Sequence, residues 1–170
     1  MIVLGVDTSL RSTGYGVLEA VGSRLRAIDY GNIPNAREKR VSDCLAAIHD
    51  KIASLVSAYA PEEASLEKVI YGKNANTMCL LGEARGAVIV AASPLPIYEY
   101  EPRRVKMAVC GNGLAGKEQI QRMVKTLLAL PALPQNDAAD ALALAICHVH
   151  ARQTRLGARQ ALFGGEAARV

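Results

Sequence analysis

The sequence predicts an α/β fold: a five-stranded mixed sheet, its first three strands antiparallel, flanked by helices. Three observations carry this. Residues 2–33 hold three short, β-branched, alternating stretches joined by tight turns, the pattern of an antiparallel meander. Beyond them the apolar spacing changes to three and four, the helical period, and then moves between helix-like and strand-like stretches. The resulting order, β-β-β-α-β-α-β-α-α-α, contains no internal repeat and no linker, as in a mixed sheet covered by helices. With 170 residues, 51% of them apolar, the chain suits one domain with a substantial core.

Each element has its own signal. Residues 2–7 are an apolar strand ending in Asp7, Thr8-Ser9-Leu10-Arg11-Ser12 is a turn, and residues 13–20 and 24–33 are the next two strands. From about Glu38 to Tyr59, Val41, Leu45, Ile48, Ile52, Leu55 and Val56 share one helical face, and Pro61 ends the helix. Residues 64–70 read as a buried strand carrying one acid, Glu67. A helix over about 74–92 stops before Pro94 and Pro96, and residues 97–100 are the last strand. Two short helices over about 102–109 and 117–129 precede a helix opened by Asp137 that runs to about Ala151. The domain is expected to span 1–151, and residues 152–170, rich in arginine, to form a basic flexible tail.

Composition excludes several classes. No apolar run reaches membrane-spanning length, and the N-terminus lacks the basic region and cleavage site of a secretion signal, so a cytoplasmic protein is expected. Cys44, Cys79, Cys110 and Cys147 show no CxxC spacing and fit a reducing compartment. Lys and Arg outnumber Asp and Glu by 20 to 16, which is compatible with a nucleic-acid partner.

The acids are the informative residues. Asp137 and Asp140 lie three apart at a helix start, on one face, where free N–H groups and the helix dipole favour negative charge. Asp137 also suits an N-cap, so this pair alone leaves cap and site readings open. Asp7 and Glu67, however, sit on apolar strands, where an acid is costly unless paired, hydrogen-bonded or bound to metal. Four carboxylates converging on one spot cannot all ionise cheaply without cations. Hard divalent metal is the economical resolution, Mg²⁺ or Mn²⁺, since no Cys/His cluster suggests zinc.

Val3-Leu4-Gly5-Val6-Asp7 with Thr13-Gly14-Tyr15-Gly16-Val17 is the first of four motifs to be weighed together. The others are Glu67 with Lys73-Asn74-Ala75, Leu81-Gly82-Glu83-Ala84-Arg85-Gly86, and Asp137-Ala138-Ala139-Asp140-Ala141-Leu142-Ala143. In this order they resemble the RuvC family of bacterial Holliday-junction resolvases, over about residues 2–150. The resemblance implies a ribonuclease H-like fold, a homodimer, and paired symmetric nicking of four-way DNA junctions in recombination and repair. It further implies Asp7, Glu67, Asp137 and Asp140 as catalytic acids holding two Mg²⁺ ions, with Mn²⁺ able to substitute. The RuvA–RuvB branch-migration complex is the implied partner. Two positions depart from the family pattern. Thr8-Ser9 stands where Pro-Gly is usual after the first Asp, and Ile70 stands where a stacking Phe is usual, leaving Tyr71 as the nearest aromatic.

Lys106 and Lys117 match basic positions of the family, and Lys73, Arg85 and Arg104 lie in or beside matching segments; all five, with Tyr71, are expected to contact DNA. Residues 111–117, Gly-Asn-Gly-Leu-Ala-Gly-Lys, satisfy a G-x-G-x-x-G pattern but follow a helix, so a loop capping two helices is expected. Cys147-His148-Val149-His150 lacks the spacing for one metal face and is expected to be packed or surface side chains. Two other functions stay open. An ATP-dependent enzyme of the actin-like or sugar-kinase fold would explain Val6-Asp7-Thr8-Ser9, but needs a second domain and leaves Asp137 and Asp140 unexplained. A junction-binding module that does not cut would have no use for all four acids. For a dimer, the exposed apolar side of the 74–92 helix is the expected surface.

Overall fold

The computed structural model describes residues 1–69 and 74–153. The expected contacts of Tyr71 and Lys73, the Ile70 departure and the tail from 154 onward lie outside them. Five strands form one sheet in the order β3-β2-β1-β4-β5: β1 (Ile2–Asp7), β2 (Ser12–Val21), β3 (Arg24–Pro34), β4 (Glu63–Glu67) and β5 (Ile97–Tyr100). β1, β2 and β3 pair antiparallel, while β4 and β5 pair parallel, so the sheet is mixed as expected.

Helices cover both faces. α1 (Val41–Tyr59) and α2 (Ala75–Ala91) pack on one, around Leu4, Val6, Val17, Leu66 and Ile97. α3 (Pro102–Cys110), α4 (Lys117–Leu127) and α5 (Asn136–Gln153) pack on the other, around Val3, Leu18 and Tyr100. This division follows from the period-two alternation of strand side chains, which sends Val3, Gly5 and Asp7 to one face and Leu4 and Val6 to the other.

α5 lies unusually close to the sheet, and three glycines make that possible. A Cβ on Gly5 would collide with the carbonyl oxygen of Ala141, and one on Gly14 with that of Asp137. At Gly16 it would come within 2.7 Å of the Leu142 side chain. The helix backbone therefore rests directly on β1 and β2, which seats the first turn of α5 over the end of β1.

Strand register adds a second alignment. Asp7 faces Gly14 across β1 and β2, Gly14 faces Asn32 across β2 and β3, and Glu67 faces Tyr100 across β4 and β5. Since Val6 pairs with Leu66, one row of residues crosses all five strands on the α5 face: Tyr100, Glu67, Asp7, Gly14 and Asn32. The row runs along the carboxyl ends of β1, β4 and β5.

Two sequence expectations shift. β4 ends at Glu67 and does not run to residue 70, so this acid closes the strand and is exposed, where a buried interior position was expected. Arg152, assigned to the tail, belongs to α5 and pairs with Glu63 at 3.2 Å. The glycine-rich loop behaves as expected: Gly111, at φ +68°, caps the end of α3, and Gly116 caps the start of α4.

Candidate active site

Asp7 and Glu67 close neighbouring parallel strands, and Asp140 faces them from the first turns of α5. These three acids line one cleft with Lys106 of α3 and Lys117 of α4. Three separate parts of the chain thus deliver carboxylates to one place, and two helices deliver lysines opposite them.

The electrostatics reflect that crowding. Burial and then the charges of Asp140, Glu67 and Asp137 push the Asp7 carboxyl up to about 7, against a smaller downward pull from Lys117. Asp140 is raised by burial and by Asp137, with Lys117 and Lys106 pulling it down. Glu67 is raised by burial of its carboxyl in the cleft and by Asp140, although the residue as a whole is exposed. Like charges held together in a partly dry cleft favour the neutral form, and here four acids act on one another. The two lysines offset only part of this.

Asp137 belongs to the same field but is held differently. α5 begins at Asn136, so Asp137 lies inside the first turn and not at the cap. Its Oδ2 accepts a short hydrogen bond from the Ser12 hydroxyl and another, 3.0 Å long, from the Asn32 amide. As they stand, no three His, Cys, Asp or Glu side chains among the described residues are grouped to hold a metal ion.

The expected basic contacts divide into two groups. Lys106 and Lys117 face the cleft. Arg85 lines an adjoining recess with Asp7, Thr8 and Glu67, but its guanidinium is engaged within the fold. It is buried, its Nη1 donates to the Glu67 carbonyl at 2.9 Å, and its Nη2 forms an ion pair with Glu99. Its guanidinium ties α2 to the ends of β4 and β5 from beneath, an internal role that a phosphate contact would disrupt. Arg104 faces the other side of α3, 5.3 Å from the centre of the Tyr100 ring, in a recess shared with Cys147 and His150.

Sequence reading passed over three residues that matter here. Ser12 and Asn32 carry no local signal, because their partner Asp137 is 125 and 105 residues away. The signal was present only in the alternation: Ser12 and Gly14 are two apart on the face that carries Asp7's row. Glu63, one residue before the expected strand, is the buried acid of β4. It bonds His148 Nε2 at 2.5 Å, and His148 Nδ1 in turn lies 2.7 Å from the Tyr100 hydroxyl. His148 is fully buried, and burial lowers its pKa, so the imidazole is a neutral link in this chain.

Comparison with known proteins agrees with this geometry. The family profile described as "Crossover junction endodeoxyribonuclease RuvC" matches residues 3–148. The protein of that description from Trichlorobacter lovleyi is 45% identical, over 95% of this chain and 92% of its own length. Its counterpart from Shewanella sp. is 46% identical, over 99% of this chain and 96% of its own. Among solved structures, Thermus thermophilus RuvC in complex with a Holliday junction substrate superposes with a TM-score of 0.84 at 30% identity. That match covers 91% of this chain and 96% of the other. An acid cleft at the strand ends of a ribonuclease H-like sheet, and matches spanning nearly the whole chain, lead to one conclusion: the chain belongs to the RuvC family of crossover junction endodeoxyribonucleases.

Proposed function

We propose that this protein cuts four-way DNA junctions by paired, symmetric, metal-dependent phosphodiester hydrolysis, with Asp7, Glu67, Asp137 and Asp140 as the metal-holding acids. The observation that carries the reading is the gathering of Asp7, Glu67 and Asp140 in one partly buried cleft, where burial and then the neighbouring acids push Asp7 up to about 7. A fold does not keep four acids in such a cleft for stability, since each raises the cost of ionising its neighbours. The donor set fits hard divalent cations, which prefer oxygen ligands. The buried Thr8 hydroxyl beside Asp7 adds support, having no hydrogen-bond partner among the described residues and being suited to a metal-bound water or a phosphate oxygen.

Two Mg²⁺ ions, or Mn²⁺ in their place, would supply Lewis acidity and an activated water for an in-line displacement. The chain's own residues do the rest. Asp7, at the end of a central strand and coupled to the three other acids, would be a shared ligand of the metal site. Lys106 and Lys117 are placed to hold the phosphate across the cleft and to oppose the charge that develops on it. Arg85 fixes the backbone that carries Glu67.

Two symmetric cuts on a substrate with two-fold character suit a two-fold protein. The outer side of α2, where Val90 is 63% exposed, is the proposed dimer surface. The RuvA–RuvB branch-migration complex is the proposed partner and the cytoplasm the proposed location. No helix among the described residues is long and apolar enough to cross a membrane. The ATP-dependent alternative lacks support, because the family match takes in all four acids and spans nearly all of the described chain.

The test is a labelled four-way junction and a linear duplex, each with Mg²⁺, with EDTA and with ATP. Paired nicks in the junction alone, abolished by EDTA and indifferent to ATP, are expected. ATP hydrolysis without nicks, or tight junction binding without nicks in Mg²⁺, would overturn the proposal.

A further inference from the structure

We infer that Ser12 and Asn32 are positioning residues for Asp137, forming a clamp that sets the orientation of its carboxylate before metal arrives. This inference rests on the metal-site reading of the four acids and deepens it.

The geometry is a closed triangle across three elements. Ser12 of β2 donates its hydroxyl to Asp137 Oδ2, and Asn32 of β3 donates its amide to the same oxygen at 3.0 Å. The Asn32 amide also donates to Ser12 Oγ at 3.2 Å. Ser12 thus accepts from Asn32 and donates to Asp137, and hydrogen bonds chained in this way polarise and strengthen one another. Below the side chain, the Asp137 backbone rests on Gly14, which sits two residues from Ser12 and directly opposite Asn32. Backbone and carboxylate are therefore gripped from the same patch of sheet.

Stability alone gives little reason for this arrangement. A carboxylate in the first turn of a helix is already favoured by free N–H groups and the helix dipole. Spending two strand donors on one oxygen does something else: it removes the rotation of the carboxylate and dedicates Oδ2 to the protein. Neither strand donor engages Oδ1, and the charge of Asp137 is felt by Asp7 and Asp140. Asn32 does this at a cost, because its own Oδ1 is buried without a hydrogen-bond partner among the described residues. Neither Ser12 nor Asn32 touches the reacting atoms in this arrangement, so both act through Asp137. Groups that orient a metal ligand in this way commonly change metal affinity or activity by about 10–100-fold when removed.

The experiment is calorimetric titration of Mn²⁺ into the full chain without DNA, for wild type, Ser12→Ala, Asn32→Ala, Ser12→Thr and Asp137→Asn. Ser12→Ala and Asn32→Ala are each expected to weaken Mn²⁺ binding about 10-fold, with Ser12→Thr restoring it through its retained hydroxyl. In an Asp137→Asn background, Ser12→Ala is expected to add no further loss. On junction DNA, kcat is expected to fall while KM holds. Thermal melts accompany each variant, and Ser12→Thr keeps the test decisive where an alanine fails to fold. Unchanged Mn²⁺ affinity in both alanine variants, with Asp137→Asn weakened, would overturn the clamp and leave the metal site standing. An equal loss from Ser12→Ala with and without Asp137 would also overturn it. Wild type that binds no Mn²⁺ would overturn the metal-site reading itself, and the clamp with it.

Discussion

β4 carries a glutamate at each end, both facing α5, and the two have opposite surroundings. Glu63 is buried and paired: His148 at 2.5 Å, Arg152 at 3.2 Å, and the Tyr98 hydroxyl at 3.5 Å. Glu67 meets other acids, with lysines only as distant counterweights. Residue type, strand and face are the same, so the difference lies in the surroundings, and much of it in what α5 presents at each level. Its last turns bring a histidine and an arginine; its first turns bring two aspartates. A buried acid with its hydrogen bonds satisfied holds a fold in register, whereas crowded acids without sufficient partners store repulsion that a cation can release. One end of the α5 groove secures the structure and the other is the proposed seat of the chemistry.

Substitutions can break that comparison. Asp7→Asn is expected to have the largest effect, lowering junction nicking in Mg²⁺ by about a thousandfold, comparable with loss of a preorganised catalytic group, with the protein still folded. Gel assays of nicked junctions would measure it, and near-normal cleavage would remove Asp7 from the machinery.

His148→Ala should do the reverse. It leaves Glu63 buried with fewer partners, so urea melts are expected to show a loss of about 3 kcal/mol. Cleavage per folded molecule should stay within about twofold of wild type, since His148 sits among β4, β5 and α5 at the paired end. A large loss of cleavage without a loss of stability would mean that the two ends are not separable.

The pH dependence sharpens the same contrast. Asp7 has a folded-state pKa of about 7, above its ordinary value of 3.8, so folding takes up a proton between those two values. Its unfavourable contribution is absent below about pH 4 and grows as pH rises to about 7. In metal-free protein, the stability difference between Asp7→Asn and wild type should therefore open across that window, reaching a few kcal/mol in favour of Asn. Mn²⁺ should close most of that gap at pH 8 by stabilising wild type. Chemical denaturation across pH, with and without metal, would test both statements; a flat difference curve would deny that burial and the neighbouring acids raise Asp7.

The smallest expected effect separates the two kinds of basic residue. Lys106→Ala should reduce the salt slope of junction binding by about one, because a phosphate contact is lost. Arg85→Lys should leave that slope unchanged and instead lower stability, since a lysine cannot bond both Glu99 and the Glu67 carbonyl in the same fork.

Much of the fold was legible because periodicity is local. The strands at 2–7 and 97–100 match the expected bounds, and the others fall within a few residues of them. Asp7, Asp137 and Asp140 stood out because acids beside apolar runs are chemically conspicuous. The failures share one cause. Arg85, Glu63, Ser12 and Asn32 all have partners on other elements, and a polar residue in one sequence does not announce whether its partner is a phosphate, a solvent molecule or a residue 85 positions away, as for Glu63 and His148. Arg85 read as a surface cation because arginines are mostly exposed. Glu63 falls one residue before the expected strand at 64–70, and nothing local marks it as buried.

The row that crosses the sheet through Tyr100, Glu67, Asp7, Gly14 and Asn32 has a further consequence for quality control. A slip of one residue between β1 and β2 would turn Asp7 to the opposite face, where α1 and α2 pack, and would carry Gly14 out from under α5. Such a chain would lose the carboxylate, the helix seat and the core pattern together. The same pairing that makes the sheet also assembles the proposed site, so the fold and the acid cleft would be lost together.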